Sequence, residues 1–230
     1  MKSELIVALD VPTAAEIPEI VNALPAEILY YKIGLELFTA SGPAALEFLT
    51  ENGKKIFLDL KLHDIPRTVA RAVEAAAQYN VALMTVHAGG GRNMLTEAAQ
   101  SAAGLGADAP KLVAVTTLTS LDQSDLNELG IQRTLPDHTA ALGKLAIDCG
   151  IDGLVCSPLE VGDFRTQLGD GPILVTPGIR PAGGDVGDQK RVATPAMAVR
   201  DGSSFLVVGR PILSADNPEE AAAEILRQMS

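Results

Sequence analysis

Tryptophan is absent from the chain, and five phenylalanines with three tyrosines bring the aromatic share to only 3%. A core built from this chain must therefore be aliphatic, and 47% hydrophobic residues supply the material for one. Cysteine is nearly absent too. Cys149 and Cys156 stand at a spacing that fits neither a zinc site nor a C-x-x-C redox pair, and a chain this large needs no disulfide staple. Two small buried thiols are expected. Basic charge is also scarce, with 18 Lys and Arg against 29 Asp and Glu and a formal net charge of -11. Non-specific nucleic-acid binding needs basic surface to displace phosphate counterions, so that partner class is set aside. An anionic ligand would have to be drawn by a local basic cluster, against the global field. Long apolar runs are lacking as well. "MKSELIVALDVP" meets Asp10 and Pro12 too soon for a signal peptide or a membrane span. The expectation is a soluble, cytoplasmic protein without a membrane partner.

What is present is a regular alternation. Short β-rich runs occur at 4–9, 28–33, 55–61, 82–87, 111–117, 153–157, 172–176 and 204–209. Between them lie Ala-rich stretches able to form helices, such as "RTVARAVEAAAQY" at 67–79. The strand runs are nearly all apolar instead of alternating, as expected for parallel strands covered on both faces. The last helix begins at "DNPEE", with Asn217 as cap, Pro218 in the first turn and two acids near the positive end of the dipole. No linker or composition shift divides the 230 residues. The pattern predicts a single (β/α)8 barrel domain over 1–230, with a doubly wound sheet as the alternative.

In such a barrel, polar residues at the C-terminal strand ends build the chemistry. Here the ends carry Asp10, Lys32, Asp59 with Lys61, His87, Thr119, Arg180 and Arg210. Charged or polar groups at nearly every end are hard to explain as packing.

The densest cluster is "FLDLKLHDIP" at 57–66. In an extended strand, residues two apart share a face and lie roughly 6.6 Å apart. Ile56, Leu58 and Leu60 then face the helices, while Phe57, Asp59 and Lys61 face the barrel interior. Lys32, at the neighbouring strand's end, reaches the same cavity. A buried ion pair without function is the alternative, but opposite charges seldom gain over apolar packing when buried. Flanking carboxylates favour a protonated Lys61, whereas a Schiff-base lysine needs a free amine. Lys32 pushes the other way, yet a proton donor is favoured. Paired aspartates could instead hold Mg²⁺, though two lysines would repel it, and metal is ranked second. Asp64 lies past the strand, and local sequence reads it as a helix cap ahead of Pro66.

Strands seven and eight end in "TPGIR" and "VVGR". Loops after these strands are the recurrent phosphate site of this architecture. Gly178 and Gly209 allow backbone N–H groups to approach phosphate oxygens, and Arg180 and Arg210 supply forked donors. Two such ends side by side point to a phosphate monoester. The stretch from Pro177 to Gly187, with six glycines and prolines, is expected to form a lid, with Gln189 bringing an amide to the ligand.

With these pieces together, the chain resembles the orotidine 5′-monophosphate decarboxylase family. The likeness runs in order through "ALD", "YYKIG", "FLDLKLHDIPRTV", "TVHAGGG", "LTS", "TPGIRPAGGDVGDQKR" and "VVGRPI". The resemblance implies decarboxylation of orotidine monophosphate to UMP without a cofactor. It also implies a homodimer with shared sites. Lys32, Asp59 and Lys61 would act with Asp64 of the other subunit, overriding the simple cap, and Thr68 would reach across likewise. Asp10 and Lys32 would hold the ribose hydroxyls, Thr119 the pyrimidine edge, and Arg180, Gln189, Gly209 and Arg210 the phosphate. His63 and His87 fall inside matched motifs but are assigned no chemistry. His138 is read as a surface residue.

Two rival readings fit the same motifs. A metal-dependent sugar-phosphate lyase or synthase of the same superfamily shares D-x-K-x-x-D, but such relatives typically carry a metal-binding glutamate where this chain has Lys32. A non-catalytic nucleotide-binding barrel would have no need of a buried proton donor.

Overall fold

The computed structural model describes residues 3–181 and 192–230. Eight parallel strands close into a barrel in chain order: β1 (Glu4–Ala8), β2 (Tyr30–Gly34), β3 (Lys55–Leu62), β4 (Val81–His87), β5 (Lys111–Val115), β6 (Gly153–Val155), β7 (Ile173–Thr176) and β8 (Phe205–Val208). Each lies within one of the eight expected runs or within two residues of it. The ring closes where β1 pairs with β8, Ile6 opposite Val207. The barrel, and not the doubly wound sheet, is the architecture.

Each strand is apolar on both faces because it separates two cores. Ile6, Ala8, Phe57, Leu83, Val113, Val175 and Val207 fill the inside, with Tyr30 and Phe205 meeting edge to face at 4.9 Å. The outward set, including Val7, Tyr31, Ile33, Ile56 and Leu58, packs under the helices. Phe57 therefore faces in and Ile56 and Leu58 face out, as alternation requires.

Helix Pro66–Ala77 illustrates how the outer layer is specified. Proline occupies its first turn, where no intrahelical N–H bond is lost. Val69, Val73 and Ala76 recur at helical spacing and are buried, while Arg67 and Arg71 stay in solvent. The final helix, Pro218–Gln228, is capped as expected: Asn217 Oδ1 accepts the Glu220 N–H at 3.1 Å. Among the described residues, no helix is long and apolar enough to cross a membrane. Cys149 and Cys156 are both buried and form no disulfide.

Candidate active site

The C-terminal strand ends surround an open cleft of about 250 Å³. Its walls carry Asp10, Lys32, Asp59, Lys61, Thr119, Arg180, Gly209 and Arg210. Eight of the expected site positions thus converge on one cavity. Ala8, Phe57, Val155 and Val207 form its apolar floor. Of these only Phe57 was singled out from sequence, although inward alternation along β1, β6 and β8 carries the signal for the other three.

β2 and β3 supply the centre. Gly34 lies opposite Asp59 in the ladder, which sets Lys32 beside the Asp59 carboxylate. Charges alternate along a line. Lys32 Nζ donates to Asp10 Oδ1 at 2.8 Å and lies 3.8 Å from Asp59 Oδ2, while Lys61 Nζ donates to Asp59 Oδ1 at 2.9 Å. Asp59 and Lys32 keep only 13% and 12% of their side-chain surface, against 33% for Lys61 and 54% for Asp10. The least solvated carboxylate is thus the one with two ammonium neighbours, as the desolvation cost demands. Among the described residues, no three His, Cys, Asp or Glu side chains gather closely enough to hold a metal ion.

Gly34 leaves room for this arrangement. A β-carbon at that position would come within 2.8 Å of Lys32 Nζ, with Asp10 Oδ1 at 3.7 Å. Nothing in the local sequence distinguishes this glycine from an ordinary turn residue.

Lys61 reaches the cleft by a route that simple alternation does not describe. Leu58 pairs with Met84, but the next pairing joins Leu62 to Val86, so β3 carries a bulge opposite β4. Within it Lys61 adopts a positive φ of 51°. Its side chain enters the cavity because the backbone turns, not because the strand stays extended.

Asp64 and Thr68 are both exposed and absent from the walls of this chain's cleft. Asp64 is not the helix cap that local sequence favoured. Ile65 holds the cap position, no side chain bonds the first turn, and Asp64 Oδ1 accepts the Ile65 N–H at 2.6 Å.

At the other end of the cleft, Gly178 has φ 81°, a region open to glycine, and Gly209 precedes the short helix Arg210–Leu213. Arg180 Nη1 donates to the Ile179 carbonyl at 2.9 Å, and its backbone N–H to Ala193 at 2.9 Å. The Ile179–Ala193 bridge ties together the chain on either side of 182–191. Gln189 and most of the expected lid fall outside the described residues.

His63 and His87 stack at 5.1 Å beside the cleft, and His87 Nδ1 accepts the Gly89 N–H at 3.2 Å. Burial, then the nearby His63 and Lys61, holds His87 below the ordinary imidazole value. His138 is half-buried instead of lying on the surface, and burial lowers it as well.

Comparison with known proteins gives the family. The curated orotidine 5′-phosphate decarboxylase of Moorella thermoacetica is 47% identical over 233 residues, spanning 99% of this chain and 92% of that protein. The protein of the same name from Gloeothece citriformis is 44% identical, spanning 100% of this chain and 99% of its own. Among solved structures, orotidine 5′-phosphate decarboxylase from Lactobacillus acidophilus superposes with a TM-score of 0.88 at 39% identity, covering 99% of both chains. A family profile described as "Orotidine 5'-phosphate decarboxylase / HUMPS family" matches residues 3–225, and the chain belongs to that family.

Proposed function

We propose that this chain decarboxylates orotidine 5′-monophosphate to UMP and CO2 without a cofactor, with Lys61 as the proton donor. The observation that carries the reading is the series Asp10–Lys32–Asp59–Lys61, with contacts of 2.8, 3.8 and 2.9 Å in the wall of the cleft.

Loss of CO2 breaks the C6–carboxyl bond and leaves its electron pair on C6, where no adjacent carbonyl can delocalise it. A fixed ammonium next to C6 stabilises that pair and then protonates it, and the resulting amine regains its proton from solvent. Lys61 is suited to both tasks because Asp59 accepts a hydrogen bond from its Nζ at 2.9 Å and so fixes where the ammonium points. Unit charges 4 Å apart interact by about 4 kcal/mol at an effective dielectric of 20. Each 1.4 kcal/mol or so is tenfold in rate, so a preorganised pair can supply a large factor. Asp59 also crowds the substrate carboxylate, and that repulsion is relieved in the transition state.

The remaining roles are those the family resemblance implies. Asp10 and Lys32 take the ribose hydroxyls and Thr119 the pyrimidine edge. Arg180, Gly209 and Arg210 take the phosphate, joined by Gln189. Binding energy at the phosphate, remote from C6, holds the reacting ring against the charges.

Asp64 and Thr68 support a homodimer. Both are exposed and outside this chain's own cleft, beside Ile65, a large apolar side chain that is 70% exposed. A second copy seated here would cover Ile65 and receive Asp64 and Thr68 at its site.

The test is the fall in orotidine monophosphate absorbance, with and without EDTA. Turnover should be indifferent to chelation, and Lys61→Ala should lose at least about a thousandfold in kcat, roughly 4 kcal/mol, while still binding UMP. Inactivation by EDTA with recovery on Mg²⁺ would favour the sugar-phosphate lyase. Tight UMP binding with no turnover by the parent would favour a binding module.

A further inference from the structure

Two non-glycine residues among those described have positive φ: Asn80 at 56° and Lys61 at 51°. Asparagine tolerates this region because its short polar side chain bonds locally. Lysine has no such relief, so the Lys61 conformation must be held by its surroundings. The bulge removes the regular partner on β4, since the ladder skips from Leu58–Met84 to Leu62–Val86. In place of a strand carbonyl, the Lys61 N–H donates to Thr85 Oγ1 at 2.7 Å. Thr85 is completely buried and lies two residues beyond the inward-facing Leu83.

We infer that Thr85 is a positioning residue for the reaction: its hydroxyl replaces the lost ladder acceptor and locks the left-handed turn that aims Lys61 at Asp59. Thr85 is not among the residues lining the cleft, so it acts only through Lys61. Lys61 Nζ sits at the end of a flexible stem, 2.9 Å from Asp59 Oδ1. A relaxed backbone at Lys61 would change the direction in which that stem leaves the chain. Valine at position 85 would keep the branched shape and remove the acceptor, whereas serine would keep the acceptor. Thr85 matters in this way only if Lys61 is the proton donor, so the experiment carries both.

The test compares the full-length Thr85→Val, Thr85→Ser and Lys61→Ala proteins by kcat, KM, UMP affinity and melting temperature. Thr85→Val should lose about tenfold or more in kcat while UMP affinity stays within about threefold, and Thr85→Ser should recover most of the rate. Should the valine variant fail to fold, Thr85→Ala set against Thr85→Ser takes its place, with loss in alanine alone supporting the assignment. Val or Ala at the parent rate, or Ser as slow as either, overturns it. A dead Lys61→Ala beside a fast Thr85→Val sinks only the role of Thr85. A Lys61→Ala that still turns over sinks both.

Discussion

The two ends of the barrel hold half-buried cations in different ways. At the C-terminal end, Lys32 and Lys61 are held by carboxylates in a cleft open to solvent, and Lys61 bends its own backbone to get there. At the N-terminal end, Arg165 Nε donates to Gly202 O at 2.9 Å. Its Nη1 reaches Pro172 O at 2.8 Å and Gly169 O at 3.1 Å, and Nη2 reaches Ser204 Oγ at 3.1 Å. Burial pulls that guanidinium below its ordinary value, but its donors go to chain carbonyls and a serine hydroxyl that pin the segments leading into β7 and β8. One end fastens the chain. The other keeps charge oriented toward space that a ligand can enter, which is what electrostatic catalysis requires.

Substitutions at the two ends should separate stability from turnover. The largest effect is the loss of turnover in Lys61→Ala already described, with little change in melting temperature. Arg165→Met should do the reverse. Stranding several carbonyls would cost about 2 kcal/mol, roughly 4–8 °C in melting temperature for a chain of this size, with kcat preserved. If Arg165→Met slowed turnover without altering stability, the contrast between the ends would be wrong.

Gly34→Ala sharpens the comparison within the C-terminal end. Its extended backbone, φ -97° and ψ -176°, accepts alanine, and the nearest obstacle is the flexible tip of Lys32. Displacing that ammonium should lower kcat/KM about tenfold, near 1.4 kcal/mol, while thermal stability barely moves. Unchanged kinetics would mean that the exact seat of Lys32 is unimportant.

The smallest expected effect is a pH dependence of folding. His87 is held below its unfolded value, chiefly by burial. The unfolded chain therefore takes up the proton first as pH drops below about 6.5, and the stability present above that value is lost as pH falls. Melting temperatures at pH 7.5 and 5.5 should differ less in His87→Gln than in the parent. His138 shifts in the same direction, which is why the two proteins must be compared. Equal differences would remove His87 from the account.

Strand positions, inward and outward faces and the charged strand ends were legible in sequence because each depends on local periodicity. Phe57 and Asp59 face inward because β3 alternates, and Arg180 and Arg210 follow β7 and β8 because charge collects where strands stop. The bulge under Lys61 was not legible. It depends on which β4 residue faces each β3 residue, and on Thr85 lying within reach of an N–H 24 positions away.

Asp64 shows the same limit from the other side. Its neighbours Ile65 and Pro66 gave it the look of a helix cap, but the cap position fell to Ile65 and left the carboxylate facing outward. Sequence alone determined the barrel, its aliphatic double core and the set of charged groups at one end, since these follow from apolar spacing and from where strands terminate. Only the tertiary structure decided which ammonium meets which carboxylate, how much room Gly34 leaves, and how Lys61 is turned. Those depend on contacts a few ångströms long between residues far apart in the chain, and no local pattern encodes them.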